Sequence, residues 1–168
     1  MVARAERNSI DTTITPDLGV LAGRLLFAVQ NELFSTLAAK GFGDLHPRHG
    51  AVMAYVEAAG VRATELARLS GQHKQVVGTV IDELEALGYV ERKPDPADRR
   101  AKLVCPTERG LEQMRTAEKI MTSIQERHAL RLGHDAFTRF KEALIDVTEH
   151  QRRHQARQRD GDSAAHSD

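Results

Sequence analysis

The stretch YVERKPDPADRRAKLVC, residues 89–105, decides the fold. Its ends, YVERK and AKLVC, read as two short strands. Between them PDPADRR gathers two prolines, two aspartates and two adjacent arginines, a stiff turn with a charged tip. Two strands are marginal on their own, so the hairpin must lean on neighbouring elements and leave its loop projecting into solvent.

Immediately upstream, KQVVGTVIDELEALG places Val77, Val80, Ile81, Leu84 and Leu87 on one helical stripe and stops at Gly88. The shorter TELARLSG precedes it, with Thr64 available as N-cap and Gly71 as terminator. Further back, RHGAVMAYVEAAG predicts a helix ending at Gly60. The long first helix, LGVLAGRLLFAVQNELFSTL, sets Leu18, Leu21, Leu25, Val29, Leu33 and Leu37 at spacings of three and four. After Pro106 two more helical patterns part near Gly133. Leu111, Met114, Met121 and Ile124 mark the first; Phe137, Phe140, Leu144 and Val147 mark the second. The closing HQRRHQARQRDGDSAAHSD has no apolar period and is expected to be frayed or disordered.

A chain of 168 residues, 40% hydrophobic and 29% charged, is the size of one domain with a core of its own. It contains no apolar run long enough to cross a bilayer, and MVARAERNSIDTTITP has no hydrophobic leader, so a soluble, cytoplasmic protein is expected. The single cysteine, Cys105, excludes an intrachain disulfide and any four-cysteine metal site. Lys plus Arg, 24, equals Asp plus Glu, 24, so a nucleic-acid partner must be argued from where the charges sit.

The order helix, helix, short helix, turn, longer helix, hairpin is that of a winged helix-turn-helix. The fold class is mainly α with a small β-hairpin wing, framed by long dimerisation helices. The turn SGQH lets the helix from Lys74 cross its predecessor and keep one face free for a major groove. Five segments follow: a flexible arm at 1–15, a dimerisation helix within 16–45, a DNA-binding lobe at 46–106 with its wing at 89–105, C-terminal dimerisation helices at 107–152, and a disordered tail at 153–168. The terminal helices carry more apolar positions than one small lobe needs, which points to a partner chain.

LEALGYVERKPDPADRRAKLVCPTERG, residues 84–110, resembles the wing signature of the MarR (multiple antibiotic resistance regulator) family of bacterial transcription factors. The family's Asp-x-Arg wing motif stands here as Asp98-Arg99-Arg100, and the resemblance spans roughly residues 16–150. It implies an obligate homodimer with interlocked first and last helices, a pseudo-palindromic duplex operator, and an effector cavity where the dimer helices meet the lobe. That cavity would lie around Phe27, Phe34, His49, Met53 and Met114. The chain departs from its relatives at His73, where Ser or Thr is common, and at Thr79, where Arg is frequent.

The candidate DNA contacts are Thr64, Gln72, His73, Lys74, Gln75 and Thr79 from the helix-turn-helix, and Asp98, Arg99, Arg100 and Lys102 from the wing. Glutamine can pair with adenine N6 and N7, threonine can touch a thymine methyl or a phosphate, and lysine can take guanine or a phosphate oxygen. A guanidinium at the wing tip suits the strong negative potential of a narrow minor groove, with Arg100 the preferred residue and Asp98 placed to orient it. Asp82, Glu83 and Glu85 would repel phosphates, so only the first two turns of the recognition helix should enter a groove.

Other classes are weaker. Ser70 and His73 lack an orienting acid, and no Gly-rich phosphate loop or nucleophile elbow occurs, so an enzyme is not expected, nor a cofactor. Cys105 alternates with Leu103 and reads as a buried structural thiol; the family's peroxide sensors carry their cysteine near the N-terminus, which here has none. His46 and His49, three apart at the start of the second helix, with His128 further along, keep a zinc-sensing regulator as an alternative, although no third ligand stands at readable spacing. A winged helix that binds protein instead of DNA is the other alternative, kept open by the neutral net charge.

Overall fold

The computed structural model of the protein describes residues 16–165, with side chains described as far as residue 158. The flexible arm expected at 1–15 lies outside the described residues. The element order is α1 (Leu18–Ala39), α2 (Pro47–Met53), β1 (Val61–Arg62), α3 (Ala63–Ser70), α4 (Lys74–Ala86), β2 (Val90–Asp95), β3 (Asp98–Pro106), α5 (Glu108–Leu132) and α6 (His134–Ala165). This is a winged helix-turn-helix lobe carried between long flanking helices.

The stripe read from the sequence is the face α4 buries. Val77, Ile81 and Leu84 are completely buried and Val80 nearly so, against Leu66 of α3 and Val52 of α2. Each such side chain contributes about 1.5–3 kcal/mol relative to exposure. Gly71, with φ 69°, turns the chain from α3 into α4, a left-handed conformation that glycine adopts without strain.

The hairpin is tied down at both ends. β2 and β3 pair antiparallel from Val90↔Pro106 to Asp95↔Asp98, and β1 adds a third strand through Val61↔Val104 and Arg62↔Leu103. A two-residue strand shows no period, so β1 is not legible in the sequence. At the root, the Thr107 hydroxyl caps α5 by accepting the Gly110 N–H at 3.1 Å and donates to the Gly88 carbonyl at 2.6 Å. Tyr89 is fully buried, donates its hydroxyl to Asp44 at 2.6 Å and lies under the Arg109 guanidinium, 4.3 Å from the ring centre.

Three sequence expectations need correction. The helix expected to run to Gly60 ends at Met53. Ala54 and Tyr55 close a turn onto the Gly50 and Val52 carbonyls, which brings Val56 into the core. Gly60 is required by the wing instead: its φ is 86°, and a Cβ there would sit 2.5 Å from Cys105 Sγ. Thr64 is not the N-cap of α3, because the chain passes from β1 into the helix at Ala63 and the cap position falls on Arg62. Finally, α6 continues past residue 152 to Ala165, in place of the expected disordered tail. Arginine, glutamine and alanine are strong helix formers, and Arg153 pairs with Glu149 one turn back, so the helix persists without an apolar stripe.

The flanking helices bury little of their apolar surface. In α1 only Leu37 is fully buried, with Val29, Leu33 and Phe34 half-covered, while Leu18, Leu21 and Leu25 are 63%, 48% and 40% exposed. Arg127 of α5 clamps α1 through both oxygens of Glu32, at 2.8 and 2.6 Å.

Candidate nucleic-acid interface and effector cavity

With its apolar stripe buried, α4 presents Lys74, Gln75, Thr79 and Asp82 to solvent. The Thr79 hydroxyl bonds back to the Gln75 carbonyl at 3.2 Å, which leaves its methyl group facing outward. Gly78 beside it opens on free space. Thr64, Gln72, His73 and Lys74 line a cleft of about 540 Å³ at the helix-turn-helix, closed on its far side by Arg152 and Gln155 of α6. The Gln72 side-chain oxygen is buried there without a donor among the described residues.

The acids of α4 are paired with arginines and a histidine. Arg92 of β2 bridges Asp82, at 2.5 Å, and Glu85, so one arginine offsets half the charge of two carboxylates and fixes the wing against α4. Glu83 turns the other way, accepting from His49 and from Arg48, both at 2.9 Å. The hydrogen bond from His49, with Arg48 adding to it, holds the Glu83 carboxyl below its ordinary range against the opposing effect of burial. Arg92 and Arg48 thus reduce, but do not remove, the negative charge that Asp82, Glu83 and Glu85 give this half of α4.

At the wing tip Asp98, Arg99, Arg100 and Lys102 are all exposed. The Asp98 carboxylate does not hold the Arg100 guanidinium: it accepts the backbone N–H of Arg100 at 3.1 Å, and its other oxygen lies 3.9 Å from Arg62. It therefore shapes the turn from which Arg100 projects. Sequence reading misses the deeper anchor, Asp95. That side chain is buried, accepts the Ala97 N–H at 2.8 Å and pairs with Arg62 of β1 at 2.7 and 2.6 Å. These bonds, the backbone one first and then Arg62, keep its carboxyl below the usual range. The pair links positions 33 apart in sequence, which no local pattern reveals.

A second cavity, of about 460 Å³, opens where α1, α2 and α5 meet. Phe34, His49, Met53 and Met114 line it, as four of the five expected pocket residues. Phe27 does not. It shares the helical face of Phe34 but stands seven residues earlier, about 10 Å up the axis and beyond the lobe, where it is 67% exposed. Gln113, which the sequence does not single out, lines the cavity as a buried amide whose oxygen has no partner among the described residues. His49 connects this cavity to α4. Its Nδ1 accepts the His46 N–H at 3.0 Å, so Nε2 carries the proton that it donates to Glu83. Both ring nitrogens are thus engaged, and among the described residues no three His, Cys, Asp or Glu side chains converge in a way that would hold a metal ion. Cys105 is buried in β3.

Residues 44–101, from the start of α2 to the far side of the wing, match the MarR family model. That stretch, about a third of the chain, is similar to the MarR family. Among solved structures, CouR from Rhodococcus jostii RHA1, bound to p-coumaroyl-CoA, is 26% identical with a TM-score of 0.66, covering 78% of this chain and 91% of CouR. A MarR-family transcriptional regulator from Rhodococcus sp. RHA1 is 25% identical with a TM-score of 0.65, covering 81% and 95% of the two chains. The transcriptional repressor CouR bound to a 23-mer DNA duplex has the same fold, with a TM-score of 0.64 at 24% identity over 79% of this chain and 92% of that one. No curated protein sequence matches significantly. Among its described residues no helix is long and apolar enough to cross a membrane.

Proposed function

We propose that this chain is a MarR-family transcriptional regulator that acts as a cytoplasmic homodimer, binds a pseudo-palindromic operator and represses transcription until a small aromatic or phenolic effector releases it. The observation that carries the reading is the joint presentation of two DNA-sized features. Lys74, Gln75 and Thr79 are exposed on α4, Arg99 and Arg100 are exposed on the wing, and Arg92 locks the two together. Gln75 and Thr79 then read base edges in the major groove, while the wing arginines enter the adjacent minor groove. CouR, captured both on duplex DNA and with p-coumaroyl-CoA, supports the DNA and effector halves of the proposal.

Dimerisation is supported by the apolar surface that α1, α5 and α6 leave open: Leu26, Phe27, Leu130, Leu132 and Ile145 are 54–70% exposed. Such surface is buried in a stable assembly. The effector would occupy the cavity lined by Phe34, Met53 and Met114, where a flat apolar ligand can be gripped by adaptable side chains and can donate to the free Gln113 oxygen. Selection from a pool of random duplexes is the test. The recovered sequences should converge on an inverted repeat with half-site centres about one helical turn apart. A pool that stays random would overturn the reading.

A further inference from the structure

We propose that the last turns of α6 form a second, sequence-independent DNA contact that grips backbone phosphates flanking each half-site; this rests on the operator-binding reading above. Residues 150–159, HQRRHQARQR, contain four arginines and two histidines and no acid, in a chain whose total charge is zero. The segment is helical and its side chains are exposed through residue 158. It is also tethered to the recognition machinery, because the Arg152 guanidinium donates to the Arg68 carbonyl in α3 at 2.8 Å. Arg152 and Gln155 thereby face Lys74 and His73 across the 540 Å³ cleft, whose lining draws cations from α3, α4 and α6 and includes no carboxylate among the described residues. Among the described residues Arg68 is the one of them with a counterion close by, its guanidinium held by Glu65 at 2.8 and 2.5 Å.

Position gives the cluster its ligand. The first turn of α4 is the end that enters a major groove, and the groove is bordered by phosphates. Cations gathered beside that turn meet the backbone at the edge of the half-site. Arg153 and Arg157, four residues apart, lie on one face of the helix, and the Arg153–Glu149 pair is an exposed contact that a phosphate can replace. A base-independent contact of this kind adds affinity and salt dependence without changing which sequence is preferred.

The test compares the full chain with the triple variant Arg152→Gln, Arg153→Gln, Arg157→Gln, glutamine being chosen to preserve the helix. Binding is followed by fluorescence anisotropy across a salt series on two duplexes, one ending at the outer base pairs of the selected operator and one extended on both sides. On the extended duplex the variant should lose about two to four units of the log K against log salt slope per dimer, one or two phosphates per protomer at about 0.9 each. Its preference for operator over scrambled sequence should be unchanged. On the short duplex the two proteins should converge, a readout that loss of folding would not produce. Equal slopes on the extended duplex would overturn the proposal, as would tighter binding by the variant, which would make the segment a shield over α4. If the full chain bound no duplex at all, the operator-binding reading itself would fall, an outcome distinct from either.

Discussion

The DNA-binding lobe and the long helices of this chain are built on opposite terms. The lobe is closed on itself: the α4 stripe is buried, three strands pair, and Arg92, Arg62 and Arg109 tie wing, β1 and hairpin root to carboxylates on other elements. The long helices are open. Much of α1 and α6 exposes leucine, isoleucine and phenylalanine, while Arg127 of α5 pairs with Glu32 of α1. In the proposed homodimer, the spacing between the two lobes would be set by whatever covers these open helices.

The largest effect should come from attacking the open half. Leu25→Asp combined with Ile145→Asp would set unpaired charges in a dimer face, at a cost of several kcal/mol, and should weaken dimerisation by at least about 100-fold in sedimentation equilibrium. A dimer of undiminished affinity would show that these helices meet no partner. Leu84→Ala attacks the closed half. It should destabilise the lobe by about 2–5 kcal/mol in urea unfolding while the dimer mass stays unchanged under native conditions. Smaller again is Asp95→Asn, which removes the charge from the Arg62 pair. Because the Asp95 carboxyl titrates below its ordinary value of about 3.9, its contribution is fully present above that value and fades as pH falls through the depressed one. The variant should therefore melt earlier than the parent at pH 7, and the gap should narrow below about pH 4. The smallest effect is expected for Cys105→Ser, with operator affinity and effector response unchanged; loss of a peroxide response would show that the buried thiol is a sensor.

The same contrast explains what is legible in the sequence. The stripe from Val77 to Leu84 and the glycine stops at 71 and 88 are local signals that stand where their pattern puts them, whereas the hairpin's strands run on through the expected loop, β2 to Asp95 and β3 from Asp98, leaving only Pro96 and Ala97 as the turn. β1 is too short to have a period, and the Arg62–Asp95 and Arg92–Asp82 pairs are made only by the fold, so they leave no trace in the chain. Proximity in sequence offers Asp98 a guanidinium partner, whereas its oxygen takes the nearer backbone N–H. A face shared with Phe34 points Phe27 toward the cavity, but that criterion fixes angle and not height along a helix. In the tail the absence of an apolar stripe suggests disorder, although helix propensity alone keeps arginine, glutamine and alanine helical.

The central claim, that wing and recognition helix touch DNA in different ways, is tested most directly by a salt series on the selected operator for the parent, Arg100→Ala, Gln75→Ala and Asp98→Ala. Arg100→Ala should bind more weakly on all sequences, with the salt slope reduced by roughly one for each phosphate that is no longer neutralised. Gln75→Ala should cost on the order of 1–3 kcal/mol on the operator, relax preference at one base pair in each half-site, and leave the slope unaltered. Asp98→Ala should weaken binding despite the gain in positive charge, because the turn that aims Arg100 loses its carboxylate. Tighter binding by the Asp98 variant, together with undiminished binding by Arg100→Ala, would contradict the account.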